Sequence, residues 1–216
     1  MFLTSIEYLL VFILSVNIIY LLIFSIASHC SPKNQEIRVN VLNRIVILIP
    51  AYKEDQVIME CVNSCLTQDY PKEKYDIIVI SDQMQDITIS TLEALPLKLI
   101  KVFFKDSTKA KALNYAMDEI GDNYDIAIIL DADNVVDSEF LSHINTSMNQ
   151  QGVEVVQAHR TAKNQNTKLA ILDAISEEIN NSIFRLGHSN VGLSAALIGS
   201  GMAFKYELLK KELHSI

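Results

Sequence analysis

Basic side chains are scarce in this chain. Lys and Arg number 18 against 26 Asp and Glu in 216 residues, for a formal net charge of −8 and a pI near 5.1. Affinity for a nucleic-acid backbone needs clustered Lys and Arg, so the balance argues against nucleic acid as a partner. Cysteine is rarer still. Three residues with no Cys/His cluster at metal spacing rule out a disulfide scaffold and most zinc modules. Cys61 and Cys65 stand four apart in a stretch of helical period, share a face and read as buried free thiols. The first strand-to-helix turn has no G-x-G-x-x-G, which disfavours a dinucleotide-binding fingerprint, and G-x-x-x-x-G-K-[ST] occurs nowhere, which excludes a P-loop NTPase. There is no internal repeat and no low-complexity tract. With half its residues hydrophobic, the chain is not disordered.

Charge is missing altogether from one stretch. YLLVFILSVNIIYLLIFSIA, residues 8–27, is twenty residues with only Ser15, Asn17 and Ser25 frankly polar. At about 1.5 Å per residue it spans the roughly 30 Å hydrocarbon core of a bilayer. A cleaved signal peptide needs a basic n-region and a small-residue cleavage site, but no Lys or Arg precedes Lys33, and His29 stands where a lipoprotein site before Cys30 would want a small residue. The expectation is a retained transmembrane anchor over 1–30. Lys33, Arg38 and Arg44 follow it, and the positive-inside rule then places what comes next in the cytoplasm, where reduced cysteines are at home. Residues 31–43 are polar, contain Pro32 and read as a linker to a domain over 44–216.

That domain alternates short apolar runs with segments of helical period. IVILI (45–49), DIIVIS (76–81), LKLIKVFF (97–104), DIAIIL (125–130) and VEVVQA (153–158) predict strands; 54–67, 109–120, 138–150 and 167–186 predict helices. Near-continuous Val/Ile runs with helical crossovers predict an α/β fold, a mostly parallel sheet with helices on both faces. Ligands of such sheets sit beyond the carboxyl ends of the strands, so the chemistry is sought there.

The first strand ends in Pro50-Ala-Tyr52-Lys-Glu54, where an aromatic and a carboxylate suit a base and a ribose, although an ordinary strand-to-helix turn accounts for the same residues. Asp82 follows the second strand, placed for a nucleoside or for a helix N-cap. The third leads to Lys109-Ala-Lys111-Ala-Leu-Asn114. A lysine at a helix N-terminus is unfavourable beside the dipole, and a bound diphosphate would relieve it; a solvated basic turn is the alternative. The fourth ends in Asp131-Ala-Asp133. Two crowded carboxylates after an apolar strand call for a cation, and Mg or Mn is the oxygen-loving choice that would bridge to phosphate.

Pro50-x-Tyr52-x-Glu54, Asp82, Lys109-x-x-x-Leu-Asn114 and Asp131-Ala-Asp133, in that order, resemble the inverting family 2 glycosyltransferases of GT-A (Rossmann-like) fold over about residues 45–205. The likeness is greatest to the membrane-anchored polysaccharide-synthase branch. It implies that Tyr52, Glu54 and Asp82 hold a nucleoside, commonly uridine, that Lys109 meets the diphosphate, that Asp131 and Asp133 bind donor and metal, and that Pro50 and Asn114 belong to the same nucleotide-sugar site. Gly199-Ser200-Gly201 resembles the loop along which a glycan or lipid-linked acceptor approaches the donor sugar. Lys111 stands where the family usually has a small residue.

The departures concern the other half of the reaction. The resemblance implies an acidic general base in an E-D motif after that loop and a Q-x-x-R-W motif; the chain has no tryptophan, and beyond Met202 it offers only Glu207 and Glu212. Glu177-Glu178 reads as a solvated or membrane-facing pair and His188 as a surface histidine. The sequence therefore looks like a donor-binding half, one that ends before its catalytic base and turns over poorly. A membrane-tethered nucleotide-sugar binder, a nucleotidyltransferase and a haloacid-dehalogenase-type phosphatase are the rival readings.

Overall fold

The computed structural model describes residues 2–30, 41–150 and 152–214, so most of the expected linker lies outside the described residues. The chain divides into two compact units, Met1–Glu36 with His159–Ala196, and Ile37–Ala158 with Leu197–Ile216.

The second unit is built on a six-stranded sheet of β1 (Ile45–Tyr52), β2 (Tyr75–Asp82), β3 (Lys98–Val102), β4 (Ile126–Ile129), β5 (Val155–Gln157) and β6 (Met202–Lys205), in the order β3-β2-β1-β4-β6-β5. The first four strands are mutually parallel, and β6 runs antiparallel to β4 and to β5. This is the mostly parallel α/β sheet that the apolar runs predict. The chain's helices are α1 (Phe2–His29), α2 (Ile58–Leu66), α3 (Asp86–Glu93), α4 (Lys109–Ile120), α5 (Phe140–Met148), α6 (Lys168–Ile179), α7 (His188–Asn190) and α8 (Tyr206–Leu213).

The unbroken Ile/Val run of β1 makes sense because both faces of the sheet are covered. Ile45, Ile47 and Ile49 pack with Ile58, Cys61 and Cys65 of α2 and Leu141 of α5, while Val46 and Leu48 pack with Leu113 and Met117 of α4 and Tyr206 of α8. Cys61 and Cys65 are free and fully buried, as their spacing predicts. Helix α4 has the expected bounds. The Thr108 hydroxyl caps it by accepting from the Lys111 amide at 3.2 Å, and Gly121, at φ 73°, closes it in a conformation that a side chain would oppose.

Two elements depart from expectation. Pro50 sits inside β1 instead of ending it. The Leu48 carbonyl accepts from the Leu130 amide on the β4 side, and the pleat's alternation points the Pro50 nitrogen the same way, past the last β4 residue. No ladder bond is lost there. Strand β6 was not expected, because Met-Ala-Phe-Lys carries no β-branched residue.

In the first unit, α6, a π-helical stretch (Asn180–Gly187) and α7 form one continuous helix. Its second half packs on the end of α1. The Tyr20 hydroxyl and His188 Nε2 are 2.7 Å apart, Asn190 Nδ2 donates to the Ala27 carbonyl at 2.9 Å, and a Cβ on Gly187 would come within 2.3 Å of the Phe24 carbonyl oxygen. Only glycine allows that approach. Within α1, the 26 residues Thr4–His29 contain an 18-residue window of mean hydropathy 2.7, long and apolar enough to cross a membrane.

Candidate functional site

Strand order reverses between β1 and β4, since β2 and β3 lie to one side of β1 while β4 leads to the other. Such a switch point leaves a crevice beyond the carboxyl ends of the strands. Pro50, Tyr52, Glu54, Asp82, Lys109 and Asp131 all line one cleft there, of about 130 Å³. A larger groove, about 710 Å³, opens at the opposite end of β2 and β3 around Tyr75, Pro96 and Lys98, away from every strand end singled out by sequence. Asn114, Asp133, Gly199, Ser200 and Gly201 are not among the side chains lining the 130 Å³ cleft.

Asp82 ends β2 with 2% of its surface exposed. Its Oδ1 accepts from the Phe104 amide at 3.3 Å, and its Oδ2 is buried with no hydrogen-bond partner. A buried carboxylate oxygen without a donor is costly and demands an explanation. The main chain around it is held in left-handed conformations, Lys53 at φ 57° and Gln83 at φ 54°, and the Lys53 amide donates to the Asp82 carbonyl at 3.1 Å. Such strain persists only where the surroundings fix it. Asp55 is one of those fixtures. The Thr88 hydroxyl, opposed by burial and seconded by the Gln85 amide at 2.9 Å, holds its carboxyl below the usual range.

Lys109, the first residue of α4, reaches across to the end of β4. Its ammonium donates to Asp131 Oδ1 and, at 2.5 Å, to the Gly199 carbonyl. The Lys111 ammonium instead donates to the Asp106 carbonyl at 2.9 Å and lies outside the cleft lining. Lys109 is therefore the lysine of the cleft. Asn114 lies further along α4, its Oδ1 buried and without a partner.

Beyond β4 the Asp131-to-Asn134 turn is propped from below. Ser200, 1% exposed, accepts at Oγ from the Asp131 amide at 2.8 Å and from Asn134 Nδ2 at 2.7 Å. Gln157, at the end of β5, holds the loop in turn. Its Oε1 accepts from the Ile198 amide at 3.0 Å and its Nε2 donates to the Ser200 carbonyl at 2.9 Å. Cys61 reaches the same turn from α2, its thiol 3.6 Å from the Asp131 carbonyl; a hydrogen bond with Cys65, and then burial, push that thiol far above its ordinary value. Sequence reading named Ser200 only as part of a loop, and missed Asn134, Gln157 and Asp55. Gln157, a polar residue closing an apolar strand, was the one signal available.

Asp133 is exposed and makes no hydrogen bond or ion pair among the described residues. Among those residues there is also no group of three or more His, Cys, Asp or Glu able to hold a metal ion. The two carboxylates fit a hard divalent cation as a partial shell, which phosphate oxygens and water would complete, the mode Mg²⁺ favours.

The remaining acidic candidates lie elsewhere. Because β6 is antiparallel, α8 follows it at the other end of the sheet, where the Tyr206 amide donates to the Asp125 carbonyl at the start of β4. Glu207 and Glu212 are therefore far from the cleft. In the first unit Glu177 pairs with Arg185 at 2.9 Å and Glu178 with His159 at 3.0 Å, while His188 is engaged by Tyr20 and its ring centroid lies 4.1 Å from that of Phe24.

An open, doubly wound α/β sheet with a charged cleft at its switch point defines the class, a ligand-binding domain of Rossmann-like type. Residues 43–215 match the family described as Glycosyltransferase like family 2, and the chain belongs to that family. A dolichyl N-acetyl-alpha-D-glucosaminyl phosphate 3-beta-D-2,3-diacetamido-2,3-dideoxy-beta-D-glucuronosyltransferase of Methanococcus voltae is 27% identical over 158 residues, 68% of this chain and 45% of that protein. The chain thus spans about half the length of this relative. Mannosyltransferase PcManGT from Pyrobaculum calidifontis, solved with GDP-Man and Mn²⁺, superposes with a TM-score of 0.71 at 21% identity, covering 94% of this chain and 56% of that one. Staphylococcus aureus TarS in complex with UDP gives a TM-score of 0.58 at 18% identity, covering 78% and 48%. The GT-A fold expected from sequence is thereby found.

Proposed function

We propose that this chain forms the donor site of an inverting glycosyltransferase, which passes a sugar from a nucleoside diphosphate, with uridine the expected base, to a glycan or lipid-linked acceptor. Helix α1 anchors it in a membrane, with the sheet on the cytoplasmic side favoured by Lys33, Arg38 and Arg44. The observation that carries the reading is Asp82, a residue of the cleft lining beside Tyr52 and Glu54 whose carboxylate keeps one buried oxygen unpaired, an acceptor that a base N–H entering the cleft would satisfy. Tyr52 gives the base a face to stack on and Glu54 an acceptor for a ribose hydroxyl. The acceptor hydroxyl attacks the anomeric carbon from the face opposite the diphosphate and gives up its proton to water, and the C–O bond to the diphosphate breaks as the new one forms, the bond's electron pair leaving with the diphosphate. Lys109 places its positive charge where the leaving diphosphate gains negative charge. A divalent cation held by Asp131 and Asp133 would supply Lewis-acid neutralisation of that same group. Positioned general bases contribute roughly 10²- to 10⁴-fold. The carboxylates lining the cleft, Glu54, Asp82 and Asp131, are all engaged with the donor in this reading. The chain is accordingly expected to bind UDP well and to turn over slowly.

Calorimetric titration of UDP into the full chain, with and without Mn²⁺, tests this. A charge-assisted hydrogen bond contributes about 1.5–3 kcal/mol, so Asp82→Asn should weaken uridine and UDP alike by roughly 10- to 150-fold. No UDP binding at millimolar concentration, or unchanged affinity in the variant, overturns the donor site. Mn²⁺-dependent binding with no sugar transfer at all would instead favour the membrane-tethered binder.

A further inference from the structure

We infer that the continuous helix made by α6, the π-helical stretch and α7 lies along the surface of a lipid bilayer, with its apolar face in the boundary between headgroups and acyl chains. The inference rests on the reading of α1 as a membrane anchor. Leu169, Leu172, Ile175 and Ile179 of α6 recur at intervals of three, three and four, one stripe of an α-helix, and each is between 49% and 78% exposed; Leu186, 45% exposed, stands beyond them in the π-helical stretch. Ile171, 44% exposed, widens the stripe. The other face is engaged within its own unit by the pairs Glu177–Arg185 and Glu178–His159 and by Asn181 Nδ2 donating to the Arg160 carbonyl at 2.6 Å, with Arg185 Nε left buried and without a partner. A helix whose polar side is tied down and whose large apolar side chains stand in the open is built to meet something apolar.

Its attachment names the occupant. The contacts that hold this helix to α1 fall on Tyr20, Phe24, Ala27 and Ser28, the last turns of the candidate span, through His188, Gly187, Asn190 and Ser182. If 8–27 crosses the hydrocarbon core, these contacts fall within its last two turns, about 10 Å or less from the core's edge. The breadth of the stripe also distinguishes lipid from a second copy of the chain. A coiled-coil seam is the narrower stripe of two positions per heptad, whereas here Leu169 lies to one side of the line through Leu172 and Ile179, and Ile175 and Ile171 lie to the other, a wider apolar arc that Ser176 interrupts only on the Leu169 side. The polar face carries Asp173, Glu177 and Glu178, so attraction to anionic headgroups is not the driving force. Binding then comes from apolar burial and is indifferent to the charge of the lipid.

The test uses the full chain with Cys30→Ser, which leaves only the buried Cys61 and Cys65, reconstituted in phosphatidylcholine vesicles with and without phosphatidylglycerol. Single cysteines are introduced by Leu172→Cys, Ile175→Cys, Asp173→Cys and, within the anchor, Phe12→Cys, and each carries an environment-sensitive fluorophore. Nitroxide lipids labelled near the headgroup are expected to quench positions 172 and 175 several-fold more than 173, equally with and without anionic lipid, and deep nitroxides to quench position 12. Labels at 172 and 175 quenched no more than at 173, with position 12 quenched deeply, overturn the inference and leave the anchor standing. An unquenched position 12 overturns the anchor and, with it, the inference that rests on it. Labels shielded from water yet unquenched, in a chain that cross-links as a dimer through 172, assign the stripe to a second copy and overturn the lipid reading.

Discussion

Replacing Lys109 with methionine separates what this ammonium does for the fold from what it does for a ligand. In the free chain it donates to Asp131 Oδ1 and to the Gly199 carbonyl, with side-chain exposures of 36% for Lys109 and 40% for Asp131. A half-exposed pair of this kind contributes about 0–1 kcal/mol. For a chain of this size, 1 kcal/mol corresponds to about 2–4 °C in melting temperature, so Lys109→Met should lower it by no more than that. The cost to a diphosphate is larger, about 1.5–3 kcal/mol for a charge-assisted hydrogen bond. Lysine must first leave Asp131, which holds the net loss near the low end, roughly tenfold in Kd. Calorimetry with UDP and with uridine, at one fixed salt concentration, makes the comparison. Tenfold weaker UDP, unchanged uridine and a small thermal shift are expected, and Lys111→Met should alter none of them. Equal weakening of UDP and uridine, or unaltered UDP, refutes the assignment of Lys109 to the phosphates.

Three further outcomes follow from the geometry. Ser200→Ala leaves the Asp131 amide and Asn134 Nδ2 without their shared acceptor in a site 1% exposed. The loss should be about 1–3 kcal/mol, read as a lower melting temperature; an unshifted melt would show that the prop is dispensable. Asp55, held below the ordinary carboxyl range by Thr88 and the Gln85 amide, stabilises the fold above its unfolded pKa. That contribution disappears as pH falls through the depressed folded value. Melting curves from pH 7 down to about 3 should therefore show a flatter acid decline in Asp55→Asn than in the parent, and parallel declines would contradict this. Gly187→Ala puts a Cβ 2.3 Å from the Phe24 carbonyl oxygen, and forced overpacking costs about 1–3 kcal/mol. Protease resistance of 159–196 in detergent should fall; unchanged resistance means the helix does not dock on α1 as described.

What the sequence disclosed followed from how strongly each element's pattern was determined. β1, β2 and β4 were legible because strands covered on both faces must be apolar throughout, and α4 because Thr108 and Gly121 mark its ends. Asp82, Lys109 and Asp131 come together because each follows a parallel strand, so the topology delivers them to one edge. β6 was hidden because its four residues have no strand signature and only its neighbours β4 and β5 recruit them. The support from Ser200 and Gln157 was hidden for a related reason, since side chain to main chain ties across more than 40 residues leave no local period. Residues 167–186 read correctly as a helix, but an amphipathic period looks the same whether its apolar side meets a sheet or a bilayer.

The electrostatics of the cleft bear on the cation independently of any relative. Glu54, Asp82 and Asp131 line it, with Asp133 two residues on in the same turn as Asp131; of the lining residues Lys109 alone carries an ammonium, and that of Lys53 lies 4.9 Å from the Tyr52 ring centroid. A diphosphate brings further negative charge to the same edge. Two like unit charges 4 Å apart repel by about 4 kcal/mol at an effective dielectric constant near 20, comparable to everything one lysine hydrogen bond can return. Lys109 is moreover already shared between Asp131 and Gly199, so swinging it to a phosphate leaves Asp131 uncompensated. On the proposed assignment the arrangement would attract a nucleoside, whose base and ribose would meet Asp82 and Glu54 as hydrogen-bond donors, and would repel a bare diphosphate. Uridine should therefore bind with or without a divalent cation, and UDP should outbind it only when Mg²⁺ or Mn²⁺ is present.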